Sequence, residues 1–207
     1  MKISEAKEKV LFWSKRAYAE GLFAGTSGNL SIYLPEEKVV VITPSSIRYE
    51  DMSIEDIVVV DLTGATVEGN RKPSSEMKMH LAIYLENSQV YSVVHTHSPY
   101  ATSFAVCQEP IPLVLIEMIP FLGGTVNCVP LQLPGTEELA QAVAKGLNGK
   151  NGCLLNNHGV VTVGDTIERA FIRAEYMEDA AKIATLARIN GEPKLIPTEI
   201  EMQMKGI

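Results

Sequence analysis

Two rhythms of apolar and polar positions alternate along the chain, one with helical spacing and one with a period of two. Residues 4–20 place Val10, Leu11, Trp13 and Ala17 at roughly helical intervals, and Gly21 closes that segment. A tight polar loop, Gly25-Thr26-Ser27-Gly28-Asn29, leads into apolar runs at 30–34 and 39–42. The linker Pro35-Glu36-Glu37-Lys38 joins these runs as a hairpin. Residues 56–62 are β-branched and apolar, a third strand that turns at Thr63-Gly64. Ser74 or Ser75 is placed to cap a helix reaching about Asn87, with Met77, Leu81 and Tyr84 on one face.

The second half continues the alternation. The pattern predicts a strand at 90–96, a helix at 98–106, and extended segments at 114–119 and 125–129 around Gly123-Gly124. Thr136 opens a helix through Leu147, with Leu139, Val143 and Leu147 in register. Strands at 153–155 and 160–163 flank Asn156-Asn157-His158-Gly159. Asp165 and Glu168 read as a capping box for a long alanine-rich helix that ends at Gly191. Several strand pairs are separated by turns too short for a parallel crossover. The expected architecture is therefore α/β, with a largely antiparallel central sheet and helices on both faces. No repeat, low-complexity tract or linker divides the sequence, so one domain over residues 1–207 is expected. No GxGxxG follows the first strand, and a dinucleotide site is not indicated.

Composition narrows the function classes. A chain of 207 residues, 46% apolar, suits a globular protein with one sizeable core. No apolar run reaches the roughly 20 residues that span a bilayer, and the charge-scattered N-terminal segment lacks a secretory apolar stretch. Cys107, Cys128 and Cys153 are odd in number, widely spaced and set among apolar neighbours. They read as buried free thiols in a reducing compartment, and a cytoplasmic protein is expected. The net charge of −7 argues against a nucleic-acid partner. A small phosphorylated ligand stays open, because backbone N–H groups and hydroxyls can hold an anion without altering net charge.

The chemistry concentrates in a few short motifs. In Val93-Val94-His95-Thr96-His97-Ser98, side chains two apart on a strand project to one face, so His95 and His97 point together. Alone, such a pair is either a metal pair or two hydrogen-bonded structural histidines. A third histidine, His158, follows a buried strand in a polar loop. Three histidines with an open position are the arrangement of a catalytic metal site. The fourth, His80, falls one turn beyond Glu76; it is a core histidine with a local hydrogen bond, or it orients that carboxylate. Glu76 itself is either a first-turn acid favoured by the helix dipole or a proton carrier beside the metal. Thr26-Ser27-Gly28-Asn29, Thr43-Pro44-Ser45-Ser46 and Ser74-Ser75 are clusters of hydroxyls and amides, singly turns or caps, together a cradle for a phosphate.

The order of these motifs, completed by Asn157-His158-Gly159, resembles the class II aldolase/adducin family from about Ile3 to about Ile189, with its L-fuculose-1-phosphate aldolase branch most similar. The resemblance implies a three-layer α/β/α sandwich and a homotetramer with active sites at subunit interfaces. His95, His97 and His158 match the zinc ligands, with manganese or another divalent cation as the alternative. Glu76 matches the acid/base and can also ligate the resting metal. Gly28, Asn29, Ser45, Ser46, Ser74 and Ser75 match the positions that hold the substrate phosphate. The implied reaction is reversible cleavage of a ketose 1-phosphate, of L-fuculose, rhamnulose or 5-deoxyribulose type. Its products are dihydroxyacetone phosphate, by way of a metal-stabilised enediolate, and a short aldehyde.

Two positions depart from the family pattern. Glu117 stands where fuculose-phosphate aldolases have a tyrosine from a neighbouring subunit, and Ser46 stands where glycine is common. The alternatives within the family are L-ribulose-5-phosphate 4-epimerases, which typically carry aspartate in place of Glu76, and methylthioribulose-1-phosphate dehydratases, which lack the Ser-Ser-Glu acid. A non-catalytic adducin-like interaction module normally loses the histidines that this chain keeps. An unrelated metal hydrolase with a three-histidine site would leave the serine clusters unexplained.

Overall fold

The computed structural model describes residues 1–206. Eight strands form one sheet: β1 (Asn29–Leu34), β2 (Val39–Ile42), β3 (Val58–Asp61), β4 (Thr66–Glu68), β5 (Ser92–Thr96), β6 (Cys128–Val129), β7 (Gly152–Leu155) and β8 (Gly159–Gly164). Their order is β4-β3-β2-β1-β5-β8-β7-β6. Every neighbouring pair is antiparallel except β6 with β7. Seven helices accompany the sheet: α1 (Ile3–Ala19), α2 (Met77–Glu86), α3 (Pro99–Cys107), α4 (Met118–Leu122), α5 (Glu137–Gly146), α6 (Ile167–Asn190) and α7 (Thr198–Lys205).

The period-two pattern of the strands divides the core cleanly. Val39, Val41, Leu30, Ile32 and Val94 pack with α1 and the first turns of α6 on one face. Their chain neighbours Val40, Ile42 and Val93, with Cys153, Leu155, Val161 and Val163, pack with α2 and α5 on the other. Leu154 and Val160 extend the first face into a third cluster with α3, α4 and the middle of α6. Helices thus cover both faces of a mostly antiparallel sheet, as the turn lengths required.

Several expectations change. Residues 114–119 are not a strand. They run as loop into α4, whose Met118, Ile119 and Leu122 are buried at helical spacing. Pro120 decides this, because it has no N–H for a ladder yet fits a first helical turn. The third strand begins at Val58, since Ile54–Asp56 form a 3-10 turn closed by a reciprocal Ser53–Asp56 cap. At α2 the N-cap position falls to Glu76 rather than to either serine; Ser74 Oγ instead accepts from the Glu76 amide at 3.3 Å. The cap of α6 is Thr166, accepting from the Arg169 amide, while Asp165 pairs with the Arg169 guanidinium at 3.1 Å. All three cysteines are free, but only Cys153 is buried and Cys107 is exposed. No helix among the described residues is long and apolar enough to cross a membrane.

Candidate metal centre and anion cleft

The site forms where one end of the sheet meets the start of α2. Tertiary pairing carries it there: β5 delivers His95 and the residue just beyond its end, His97, while the β7–β8 turn delivers His158. That turn is tight because Asn157 takes a left-handed backbone, φ 56°, which asparagine tolerates better than most residues. Glu76 enters from the head of α2.

Ligand atoms of Glu76, His95, His97 and His158 all lie within 4.8 Å of one another. His95 Nε2 is 2.9 Å from Glu76 Oε2 and 3.0 Å from His97 Nε2, and His158 Nε2 is 3.2 Å from Glu76 Oε1. His95 Nδ1 lies 2.8 Å from the Val160 carbonyl, which only accepts, so Nδ1 carries a proton and Nε2 is the nitrogen turned toward Glu76 and His97. This is the usual way a ligating imidazole is oriented. Glu76 Oε1 and His158 Nδ1 are buried with no hydrogen-bond partner; the approach of His158 Nε2 to Oε1 lacks hydrogen-bond geometry. Three imidazoles and a carboxylate, with a buried oxygen left over, are a donor set that fits a divalent cation of the zinc kind.

Charge in the cluster is strongly coupled. Burial opposes ionisation of Glu76, yet the charge and hydrogen bond of His95, then His158 and Asn29, hold its carboxyl well below the usual range. Burial likewise opposes protonation of His95, and Glu76 overcomes it, so His95 is raised. His97 is lowered to about 4 by burial, with His95 and His158 adding to the shift. Burial also lowers His158. Glu76 and His95 thus favour each other's charged forms.

Beside the cluster is a cleft of about 280 Å³ lined by Thr26, Ser27, Gly28 and Asn29, by Pro44, Ser45 and Ser46, and by Ser74, Ser75 and Glu76. His97, His158 and Pro134 complete it. The serine loops are zipped together: Ser45 N donates to Lys72 O at 2.9 Å and Ser74 N to Thr43 O at 3.0 Å, bridging Pro44 to Pro73. Tyr49 Oη fixes the first loop by donating to Gly28 O at 2.6 Å. Among the described residues, no lysine or arginine lines the cleft. Ser46 has φ 59°, the left-handed region that glycine takes without strain, which explains why glycine suits that place. Asn29 lines the cleft, but its amide carbonyl meets His80 Nε2 at 2.6 Å and its Nδ2 donates to Glu76 Oε2 at 3.0 Å. Glu117 is exposed at the head of α4 and lines no part of the cleft. Larger depressions, among them two of about 460 and 760 Å³, lie away from the histidines.

The sequence motifs left out the partners that fix these groups in place: Val160 for His95, Tyr49 for Gly28, and the wall residue Pro134. The contacts of Val160 and Tyr49 are to backbone carbonyls, which leave no mark in side-chain patterns.

The family described as Class II Aldolase and Adducin N-terminal domain matches residues 8–185, and the chain belongs to that family. It is 39% identical over 203 residues to a 5-deoxy-D-ribulose 1-phosphate aldolase of Bacillus thuringiensis, covering 98% of this chain and 94% of the relative. It is 38% identical over 168 residues to an L-fuculose phosphate aldolase of Methanococcus vannielii, covering 80% and 88%. A solved structure named L-fuculose 1-phosphate aldolase superposes with a TM-score of 0.94 at 37% identity, covering 99% of this chain and 96% of the other.

Proposed function

We propose that this protein is a metal-dependent class II aldolase, acting as one domain. It reversibly cleaves a ketose 1-phosphate of the 5-deoxyribulose, fuculose or rhamnulose type into dihydroxyacetone phosphate and a short aldehyde. One observation carries the reading: a cluster of three imidazoles and a carboxylate opens directly onto a hydroxyl-lined cleft. The similarity to proteins named as aldolases of such sugar phosphates supports it.

In this reading His95, His97 and His158, with Glu76 as a further ligand, hold a divalent cation, zinc being among the metals that imidazole suits. The cation supplies Lewis-acid polarisation of the substrate carbonyl. The serine loops and the backbone at Gly28 hold the phosphate through neutral donors, which orients the ketose and lets the product leave. Glu76, ionised and buried beside the cleft, takes the proton from, or returns it to, the carbon that becomes C3 of dihydroxyacetone phosphate. Chemistry by Schiff base needs a lysine in the cleft, and none lines it.

Assembly as a homotetramer belongs to the same proposal; Phe12, Ile116, Leu133 and Ile189 are large apolar side chains exposed on this chain alone. A cytoplasmic location is supported by three thiols that are free. Metal analysis of purified protein, with a screen of ketose 1-phosphates for dihydroxyacetone phosphate release, tests the central reading. Metal bound at one per chain and release from at least one such ester are expected; no release from any of them, with metal bound, overturns it.

A further inference from the structure

His80 lies on α2 one turn after Glu76, is fully buried, lines no part of the cleft and makes no side-chain hydrogen bond to Glu76. Its surroundings are polar: Nε2 is 2.6 Å from Asn29 Oδ1, and Nδ1 is 2.7 Å from Ser31 Oγ. Ser31 Oγ is in turn 2.7 Å from Tyr84 Oη, whose single proton is shared between Ser31 Oγ and Ser31 O, 3.0 Å away.

Donor directions in this chain are determined from one end. Asn29 presents Nδ2 to Glu76 Oε2 and turns Oδ1 toward His80. Oδ1 can only accept, so His80 carries its proton on Nε2. Burial lowers His80 to about 3, so it is neutral and Nδ1 is a bare acceptor. Ser31 therefore donates to Nδ1, and Tyr84 donates toward Ser31. Tyr84, Ser31, His80 and Asn29 form a one-way series of donors that ends on a single carboxylate oxygen, Glu76 Oε2. That oxygen also faces His95, whereas Oε1 has no hydrogen-bond partner.

The geometry points to His80 as a positioning residue: through Asn29 it locks Oε2 of Glu76 and leaves Oε1 as the oxygen that carries the proton. An ordinary core histidine needs only its own two hydrogen bonds satisfied. Here the same bonds fix the tautomer of His80, the flip of Asn29 and the rotamer of Glu76 together. Loss of an outer-shell partner of a metal ligand typically changes activity or metal affinity by roughly 10–100-fold, and His80 acts through such a partner, Asn29. The inference rests on Glu76 acting as the acid/base.

Two measurements test it, one without turnover. In the metal-free protein, imidazole nitrogen shifts in NMR should show His80 neutral with its proton on Nε2. A proton on Nδ1 would reverse the series and overturn the inference. In the metal-loaded protein, His80→Phe keeps a ring but removes the donor, whereas His80→Gln keeps a donor near the Nε2 position. With thermal unfolding and metal content monitored, His80→Phe should lower kcat roughly 10–100-fold with little change in KM. His80→Gln should recover most of that loss. If folded, metal-loaded His80→Phe turns over at the wild-type rate, or if both variants lose kcat equally, the positioning role is wrong. Glu76→Gln separates the two readings: retained turnover there ends the acid/base assignment itself, whereas its loss beside an unaffected His80→Phe ends only this inference.

Discussion

Asn29 and His95 stand directly opposite each other across the antiparallel pair β1–β5, and both reach the same oxygen, Oε2 of Glu76, at 3.0 and 2.9 Å. Residues paired across antiparallel strands share a face, so this register alone brings an amide donor and an imidazole to one point. A shift by one residue would turn both into the opposite core. Glu76 then closes the triangle from α2, which packs on that same face.

The first prediction concerns the ligand cluster. His97→Ala removes one imidazole of three while the fully buried His95 stays in place. Bound metal measured by mass spectrometry should fall to background, and turnover with it. Removing metal from the wild type with a chelator should abolish turnover, and adding zinc or manganese should restore it. Glu76→Gln should retain the fold by circular dichroism and lose about 10²–10⁴-fold in kcat, the range of a general acid–base group. An active, metal-free His97→Ala protein would sink the proposed function.

Gly159 carries the second. A Cβ there would lie 3.0 Å from His97 Cδ2, 3.1 Å from His95 Cε1 and 2.5 Å from the Thr96 carbonyl. Its backbone φ is not the reason for glycine; the close approach of β5 is. Gly159→Ala should therefore push the His95 and His97 rings and, on the proposed function, weaken metal binding by at least about tenfold. Competition with a chromogenic chelator measures this, and unchanged affinity would mean that the rings are free to shift.

Much of this was legible in the sequence because it is encoded in short range. The β1–β2 hairpin, α5 with its Thr136 cap, and the β7–β8 pair follow from alternation and turn residues. His-x-His at the end of a strand directs two imidazoles to one side before any fold is known. Elements without an apolar signature were missed. β4 has all three residues exposed and pairs by backbone alone, around a bulge at Val59/Val60. The segment 114–119 misled because its apolar residues fill a cluster under α3 and α6 rather than a place in the sheet. His80 was ambiguous for a similar reason: its partners, Asn29 and Ser31, come from a strand 51 and 49 residues away.

Gly135 carries a third prediction, at the other wall of the cleft. It has φ +76°, and a Cβ would sit 2.8 Å from the Ser75 carbonyl oxygen. Gly135→Ala should cost about 1–2 kcal/mol for the left-handed backbone. It should also push the Ser74–Ser75 edge away from Pro134. Binding of dihydroxyacetone phosphate, followed by calorimetry, should weaken while metal content stays at one per chain. Normal binding with a normal unfolding midpoint would show that this edge does not face the phosphate.

The last prediction is a pH dependence set by Asp56, which anchors the approach to the serine loop. Its carboxylate accepts from the Ser53 amide at 2.9 Å and the Ser53 hydroxyl at 2.8 Å, and from Arg71 Nε at 2.8 Å. Its pKa is lowered chiefly by the Ser53 amide, against burial, with Arg71 contributing next. A carboxyl depressed in the folded state stabilises above its unfolded value, near ~3.9, and loses that contribution as pH falls through the folded value. Asp56→Asn imitates the protonated form. It should therefore be less stable than wild type at neutral pH by about 1 kcal/mol, the net worth of a hydrogen bond. The gap should close below about pH 4. Arg71→Gln removes an ion pair whose arginine is half exposed, and should cost less, because such pairs are screened by water. Unfolding midpoints of the three proteins between neutral and acid pH decide the matter. If Arg71→Gln costs as much as Asp56→Asn, the ion pair and not the turn cap holds this corner, and added salt should then erase the difference.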